Sequence, residues 1–186
     1  MSVIIKEVTT NKELKKFVKF NIDLYKDNPY HIPGLIEEEM VTHDRKQNPA
    51  FEVCDAIYFL AYKDGKIVGR IAGIINKNSN ETWNQKRARF GFVDFIDDEE
   101  VVDALFKAVS DWAKQKGMEE LQGPMGYTDM DHEGMLVEGF DQLGIGDCAF
   151  SHFCSPYIFY WSEERAASPL RYGIVGYSGW PLRQRL

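Results

Sequence analysis

The sequence predicts an α+β fold of the α/β type: a mixed, mostly antiparallel sheet with helices on both faces, incomplete at its C-terminus. Three observations predict it. Two strand-like runs, 56–62 and 66–75, are joined by Lys63-Asp64-Gly65, a hairpin signal. A helical period between Asp97 and Gly117 separates two further strand-like runs, and a crossover helix of this kind links parallel neighbours. Amphipathic helices that precede the hairpin need a sheet face to cover their apolar stripes.

Element by element, residues 3–8 form a short β-branched run, and Thr10-Asn-Lys-Glu13 is a capping box. It opens a helix whose apolar face is Leu14, Phe17, Val18, Ile22 and Tyr25, ended by Asn28-Pro29. Residues 35–46, between Pro33-Gly34 and Asn48-Pro49, predict a second short helix with Glu37, Glu38 and Glu39 on its wet side. The hairpin follows. Gly69 and Gly73 in its second arm remove side chains, which suggests a bulge or a close backbone approach. Residues 76–85 are polar and read as a loop. Residues 87–96 predict a third long strand, with Phe90, Phe92, Asp94 and Ile96 on one face and Gly91, Val93 and Phe95 on the other. In the next helix, Val101, Leu105, Ala108, Val109 and Trp112 share a face. Asp97 is the expected cap, Glu100 the expected closure of its box, and Gly117 the stop. Residues 118–121 form a brief strand, broken by Gly123-Pro124.

The chain has 186 residues, 44% hydrophobic and 27% charged, which is the mixture of a globular domain rather than a disordered one. A formal net charge of −7 argues against nucleic acid as a partner, because phosphate-backbone binding needs a basic surface. No stretch reads as a signal peptide or a transmembrane segment, and a cytoplasmic location is expected. Cys54, Cys148 and Cys154 follow no zinc or redox spacing and read as reduced, inert thiols. The composition shifts near residue 144. Residues 1–143 hold fourteen lysines and four arginines, while residues 144–186 hold four arginines and no lysine. The expectation is one incomplete domain over 1–143 and an atypical tail over 144–186, truncated or frameshifted; within that tail, residues 156–161 could form a strand.

Several motifs in order resemble one family. They are Leu24-Tyr-Lys-Asp-Asn-Pro29, Pro33-Gly-Leu35, Asn48-Pro-Ala-Phe51, Phe59-Leu-Ala61, Asp64-Gly65 and Val68-Gly-Arg-Ile-Ala72 with Ile75-Asn76. Arg89-Phe-Gly-Phe92, Ala104-Leu-Phe106, Trp112-Ala113, Gly117-Met118, Gly123-Pro-Met125 and Glu133-Gly-Met-Leu-Val-Glu-Gly-Phe-Asp141 continue the series. The chain so resembles the N-terminal half of the bacterial GNAT-like N-acetyltransferases, a family of acyl-CoA N-acyltransferases. The resemblance implies acyl-CoA (acetyl-CoA) as co-substrate and direct attack of an amine on the thioester, with backbone amides holding the developing oxyanion. It implies a small-molecule or lipid amine as acceptor, and packing against a second GNAT-like domain.

Asp94, an acid in an apolar strand where related enzymes often keep a carboxylate that takes the amine's proton, is the leading catalytic candidate, with Glu138 the second. Arg70, Asn76, Glu133 and Asp141 are candidate substrate contacts, and Phe92, Val93 and Phe95 candidate cofactor contacts. Against a usual CoA site stands Asp97-Asp-Glu-Glu100 at the turn where family members use backbone amides to hold a diphosphate. One carboxylate–phosphate pair at ~5 Å costs about 3 kcal/mol at an effective dielectric near ~20, against a helix-dipole gain of about 0.3–1 kcal/mol. The first rival to an active enzyme is therefore a degenerate, non-catalytic GNAT-like module that packs against a catalytic half. A second is a metal-dependent hydrolase centred on Asp129, Asp131, His132 and Glu133. No metal is expected, since that group lacks a second His or a rigid helical spacing. His31 and His43, beside prolines and charges, read as surface or loop residues, and Trp83 and Trp112 as core or loop anchors.

Overall fold

A computed structural model describes residues 2–128, 130 and 131, together with the backbone of 135–136 and 154–155. The elements in chain order are β1 (Ile4–Glu7), α1 (Asn11–Leu24), α2 (Ile36–Thr42), a 3₁₀ turn (Pro49–Glu52), β2 (Cys54–Lys63) and β3 (Lys66–Asn76). After these come α3 (Lys77–Thr82), β4 (Arg87–Phe95), α4 (Glu99–Gln115) and β5 (Glu120–Gln122). A two-residue pair, β6 (Met135–Leu136) with β7 (Cys154–Ser155), stands outside the main sheet. That sheet has the order β1-β2-β3-β4-β5, antiparallel except for the parallel β4/β5 pair that α4 connects. The α+β plan read from the sequence is therefore the observed one.

Local chemistry accounts for most boundaries. Thr10 Oγ1 accepts from the Glu13 amide at 3.2 Å and Glu13 Oε2 accepts from the Thr10 amide at 3.0 Å, closing the predicted box on α1. Asp64 and Gly65, at φ +54° and +76°, make the tight hairpin turn. Three boundaries differ from expectation. The second helix spans only Ile36–Thr42, because Asn48 starts a separate turn by accepting from the Ala50 amide. Residues 77–82 are helical rather than a loop, since Asn76 caps them through the Ser79 amide. The cap of α4 is Asp98, not Asp97, and Glu100 does not close a box.

Two apolar clusters cover the sheet. On one face α4 packs Val101, Leu105, Phe106, Val109 and Ala113 against Phe59, Ile71, Ile75 and Phe90; each such fully buried side chain contributes about 1.5–3 kcal/mol. The glycines of β3 admit this helix, for a Cβ on Gly69 would lie 2.8 Å from Leu105 and one on Gly73 2.9 Å from Trp112. The other face packs Leu14 and Phe17 of α1 against Ala56, Tyr58, Leu60, Ala72 and Ile74.

β4 does not alternate as predicted. Its register with β3 runs Ala72↔Gly91 and then Arg70↔Asp94, so β4 carries an extra residue at this point, and Phe92 sits there at φ +48°. The bulge reverses the pattern: Phe90 packs toward α4, Phe92 toward α1, and Val93 and Phe95 return to the α4 side.

His43 also departs from expectation, being 2% exposed rather than on the surface. It follows α2 directly and is wedged edge-on against Phe92 at 4.5 Å and Tyr58 at 5.1 Å between ring centroids. Its Nδ1 lies 3.1 Å from the Tyr127 hydroxyl, which is itself bonded to the Tyr58 hydroxyl. Its Nε2 is buried without a hydrogen-bond partner, the nearest carboxylate oxygen, on Glu39, being too far at 3.9 Å. Burial, reinforced by the Arg70 charge, pushes the imidazole down to about 3, and burial pushes the Tyr58 phenol up to about 12. The Tyr127 phenol is raised by the same cause.

Two predictions follow from this packing. His43 is neutral when folded and protonates near 6.5 when unfolded, so the unfolded state binds the extra proton between pH 6.5 and about 3. Stability therefore falls on acidification through that window, by up to about 1.4 kcal/mol per pH unit. Urea unfolding at pH 6.5 and at pH ~5, above most carboxylate titrations, is expected to show a slope that His43→Phe removes. Separately, a Cβ on Gly91 would lie 2.2 Å from the Met125 carbonyl oxygen, a backbone atom with nowhere to go. Gly91→Ala is expected to lose about 1–3 kcal/mol in the same assay.

Candidate functional site

The bulge in β4 brings two of the predicted site residues together. Because the extra residue turns Asp94 to the α1 face, its Oδ2 accepts from Arg70 Nε at 2.7 Å and its Oδ1 from Asn21 Nδ2 of α1 at 3.1 Å. Arg70 also donates to the Phe17 carbonyl at 3.1 Å and lies 5.1 Å from the centroid of the Phe17 ring. The side chains of this ion pair are 7% and 11% exposed. A buried pair of this kind holds only when its remaining donors and acceptors are engaged, and here α1 engages them. The Tyr25 phenol, at the end of α1, is raised by burial first and by the Asp94 carboxylate second.

Beside this pair lies a strand edge that no other described strand covers. β4 pairs with β5 over Arg87–Arg89, and the Met125 amide extends the contact by donating to the Phe90 carbonyl at 2.8 Å. After the cis Gly123-Pro124 bond the chain leaves the sheet plane. Arg89 and Asn76 donate to the Tyr127 carbonyl at 3.4 and 3.2 Å, and Cys54 Sγ reaches it at 3.9 Å. Residues 126–127 thus cross the α1 face of β4, β3 and β2. Among the described residues, Val93–Phe95 pair with β3 alone. Of the three predicted cofactor contacts, Phe92 turns its ring to His43 and Tyr127, and the half-buried side chains of Val93 and Phe95 pack toward α4. What this stretch presents along that edge is backbone.

The edge runs into the start of α4, where family members seat a diphosphate. Here the chain supplies its own anion: the Asp98 side chain accepts from the Glu100 amide at 3.0 Å. Lys63, at the end of β2, donates to Asp98 at 2.6 Å and to Glu100 at 3.1 Å, and Glu100 accepts from the Val3 amide at 3.1 Å. Hydrogen bonding to Lys63 holds both carboxyls below their usual range and raises the lysine. The turn is therefore less negative than four bare acids, since two share a lysine, while Asp97 and Glu99 remain exposed. A diphosphate at this helix end would have to displace Asp98 and its lysine.

The other predicted residues lie elsewhere. Asn76 is at the far end of β3, with its side chain split between the Ser79 amide and the Tyr127 carbonyl. Glu133, Glu138 and Asp141 fall outside the described residues, as do Asp129 and His132 and the 143/144 boundary. The Asp131 carboxylate accepts from the Thr128 amide at 2.8 Å, as a turn residue does. The described residues contain no group of three metal-ligating side chains, and no helix among them is long and apolar enough to cross a membrane. Sequence reasoning missed His43, Tyr58, Tyr127 and Lys63. Lys63 and Tyr58 stood beside the hairpin signal and the Phe59-Leu-Ala61 motif, and Tyr127 just past a Gly-Pro break, but no motif marked their side chains.

No family model matches the chain. Over 138 residues, 74% of its length, it is 34% identical to Protein YghO of Escherichia coli (strain K12). Over 135 residues, 72% of its length, it is 33% identical to a protein named bacterial ceramide synthase from Caulobacter vibrioides (strain NA1000 / CB15N). Each match takes in 35% of the relative, so the chain spans about a third of the length of the curated proteins it matches. Among solved structures it is similar to a tandem GNAT protein from the clavulanic acid biosynthesis pathway. The TM-score is 0.51 at 12% identity, covering 65% of this chain and 36% of that one. With the strand order and the crossover helix already described, this likeness shows that the chain has a GNAT-like fold, the fold of the family that its motifs resemble.

Proposed function

We propose that this chain is one GNAT-like half of an N-acyltransferase that joins an acyl group to an amine, and that this half does not itself seat the donor's diphosphate. The observation that carries the second clause is the Asp98 carboxylate on the first turn of α4, held there by Lys63. The edge at Val93–Phe95 still offers backbone groups, the kind of donor that polarises a thioester carbonyl. Acyl-CoA would then depend on a partner half for its phosphates, in keeping with relatives of which this chain spans 35%. We take residues 1–143 as the extent of this half, with 144–186 outside it, and the cytoplasm as its location.

A lipid amine is the acceptor we favour. Support comes from the 33% identity to a protein named for ceramide synthesis. It also comes from the connection between α1 and α2, where Ile32 and Leu35 are each 62% exposed and Tyr30 39%. Asp94 belongs to this reading as the group that holds α1 to β4, since Arg70 and Asn21 occupy its oxygens. Acting as a base toward the amine, it would first have to give up the bond from Asn21.

Titration calorimetry of the whole chain tests the donor half of the proposal. CoA is expected to give no saturable heat, whereas the Asp98→Asn, Glu100→Gln double variant, which lowers the charge while keeping a cap, is expected to gain weak binding. Saturable binding of CoA by the unaltered chain, lost when pantetheine replaces CoA, would overturn it.

A further inference from the structure

A second site lies at the other end of β4, roughly 25 Å along the strand from Phe95 at ~3.3 Å per residue. Arg87 and Arg89 alternate with the buried Ala88 and Phe90, which face α4, so both arginines point to the opposite face. There a cavity of about 250 Å³ is lined by Asn76, Ser79, Trp83, Arg87, Arg89 and Gln122, among others. Among the described residues no Asp or Glu lines it, although the chain has 29 acidic residues against 22 basic ones.

The two arginines are not equivalent. Arg87 is matched, with Nε 2.8 Å and Nη2 2.7 Å from Glu120 Oε2, and Nη1 2.7 Å from Gln122. Arg89 has no carboxylate partner among the described residues. Its bonds run to neutral acceptors at the long end of the range: the Gly126 and Tyr127 carbonyls at 3.3 and 3.4 Å and Ser79 Oγ at 3.4 Å. A guanidinium has five N–H donors in a planar fork suited to an oxyanion, and these three long contacts to neutral acceptors leave its charge without an anionic partner among the described residues. At the same cavity Trp83 is 69% exposed, a flat apolar surface beside the charge. The volume, about 250 Å³, is below the ~300–1,000 Å³ of pockets for drug-sized ligands and suits a small anion.

We propose that this cavity binds a small organic oxyanion, a carboxylate or a phosphate monoester, whose head pairs with Arg89 and whose flat apolar portion lies against Trp83. The site is separate from the α4 turn, and its test is independent of the CoA titration. The whole chain is titrated in a calorimeter with phenyl phosphate, benzoate and inorganic phosphate. Saturable binding of either aryl anion supports the proposal, and which of them binds tighter identifies the head group. Arg89→Gln is expected to weaken aryl-anion binding about tenfold or more, with Arg89→Lys intermediate. Trp83→Ala, a change at an exposed side chain, is expected to weaken aryl-anion binding severalfold while leaving inorganic phosphate unchanged. Absence of saturable binding by both aryl anions, equal affinity in folded Arg89→Gln, or an inert Trp83→Ala overturns the proposal. If Arg89→Gln does not fold, the Trp83→Ala comparison decides alone.

Discussion

A single extra residue in β4 sets the geometry of everything around it. Without the bulge at Phe92, strict alternation would send Asp94 to the α4 side with Phe90, into the wholly apolar packing of Val101, Leu105 and Phe106. An unpaired carboxylate there would carry a large desolvation cost. With the bulge, Asp94 meets Arg70, and through Asn21 and the Phe17 carbonyl the pair fastens α1 to the sheet. Phe92, displaced to the same face, closes over His43 and Tyr127. The bulge thus joins α1, the turn after α2 and residues 126–127 into one packed layer, and it lies where β4 loses its contact with β5.

Charge is distributed unevenly along that strand. Where β4 runs into α4, acids gather and a lysine from β2 ties two of them down. Where β4 begins, arginines gather, and one of them faces a cavity where its described acceptors are neutral. The helix end favours negative charge whatever its source, and a side chain already in place needs no ligand to satisfy the free amides. A domain arranged this way has its anionic end satisfied from within and its cationic end open to solvent species.

Much of the fold was legible because its signals are local. The Thr10–Glu13 box, the Asp64-Gly65 turn and the apolar period of α4 each depend on residues within a few positions of one another. The ion pair of Arg70 and Asp94 could be guessed from two charges in apolar runs. The errors differ in range. Asn76 reads as the end of a strand before a polar loop, yet its side chain starts α3. His43 sits between charges in sequence, yet the aromatic residues that bury it come from α1, β2, β4 and the stretch after β5. The cap of α4 is Asp98 rather than Asp97, and Lys63, far away in sequence, pairs with its other oxygen.

By itself the sequence determined the order of the main strands and of the two long helices, the hairpin, the crossover and the resemblance to GNAT-like acyltransferases, since periodicity, turn chemistry and motif order all act through neighbours along the chain. Tertiary structure decided which face of the sheet each β4 side chain takes, which acid caps α4, and which arginine has no carboxylate partner among the described residues. Those outcomes depend on register and on partners brought together across the sheet, which no short window of sequence contains.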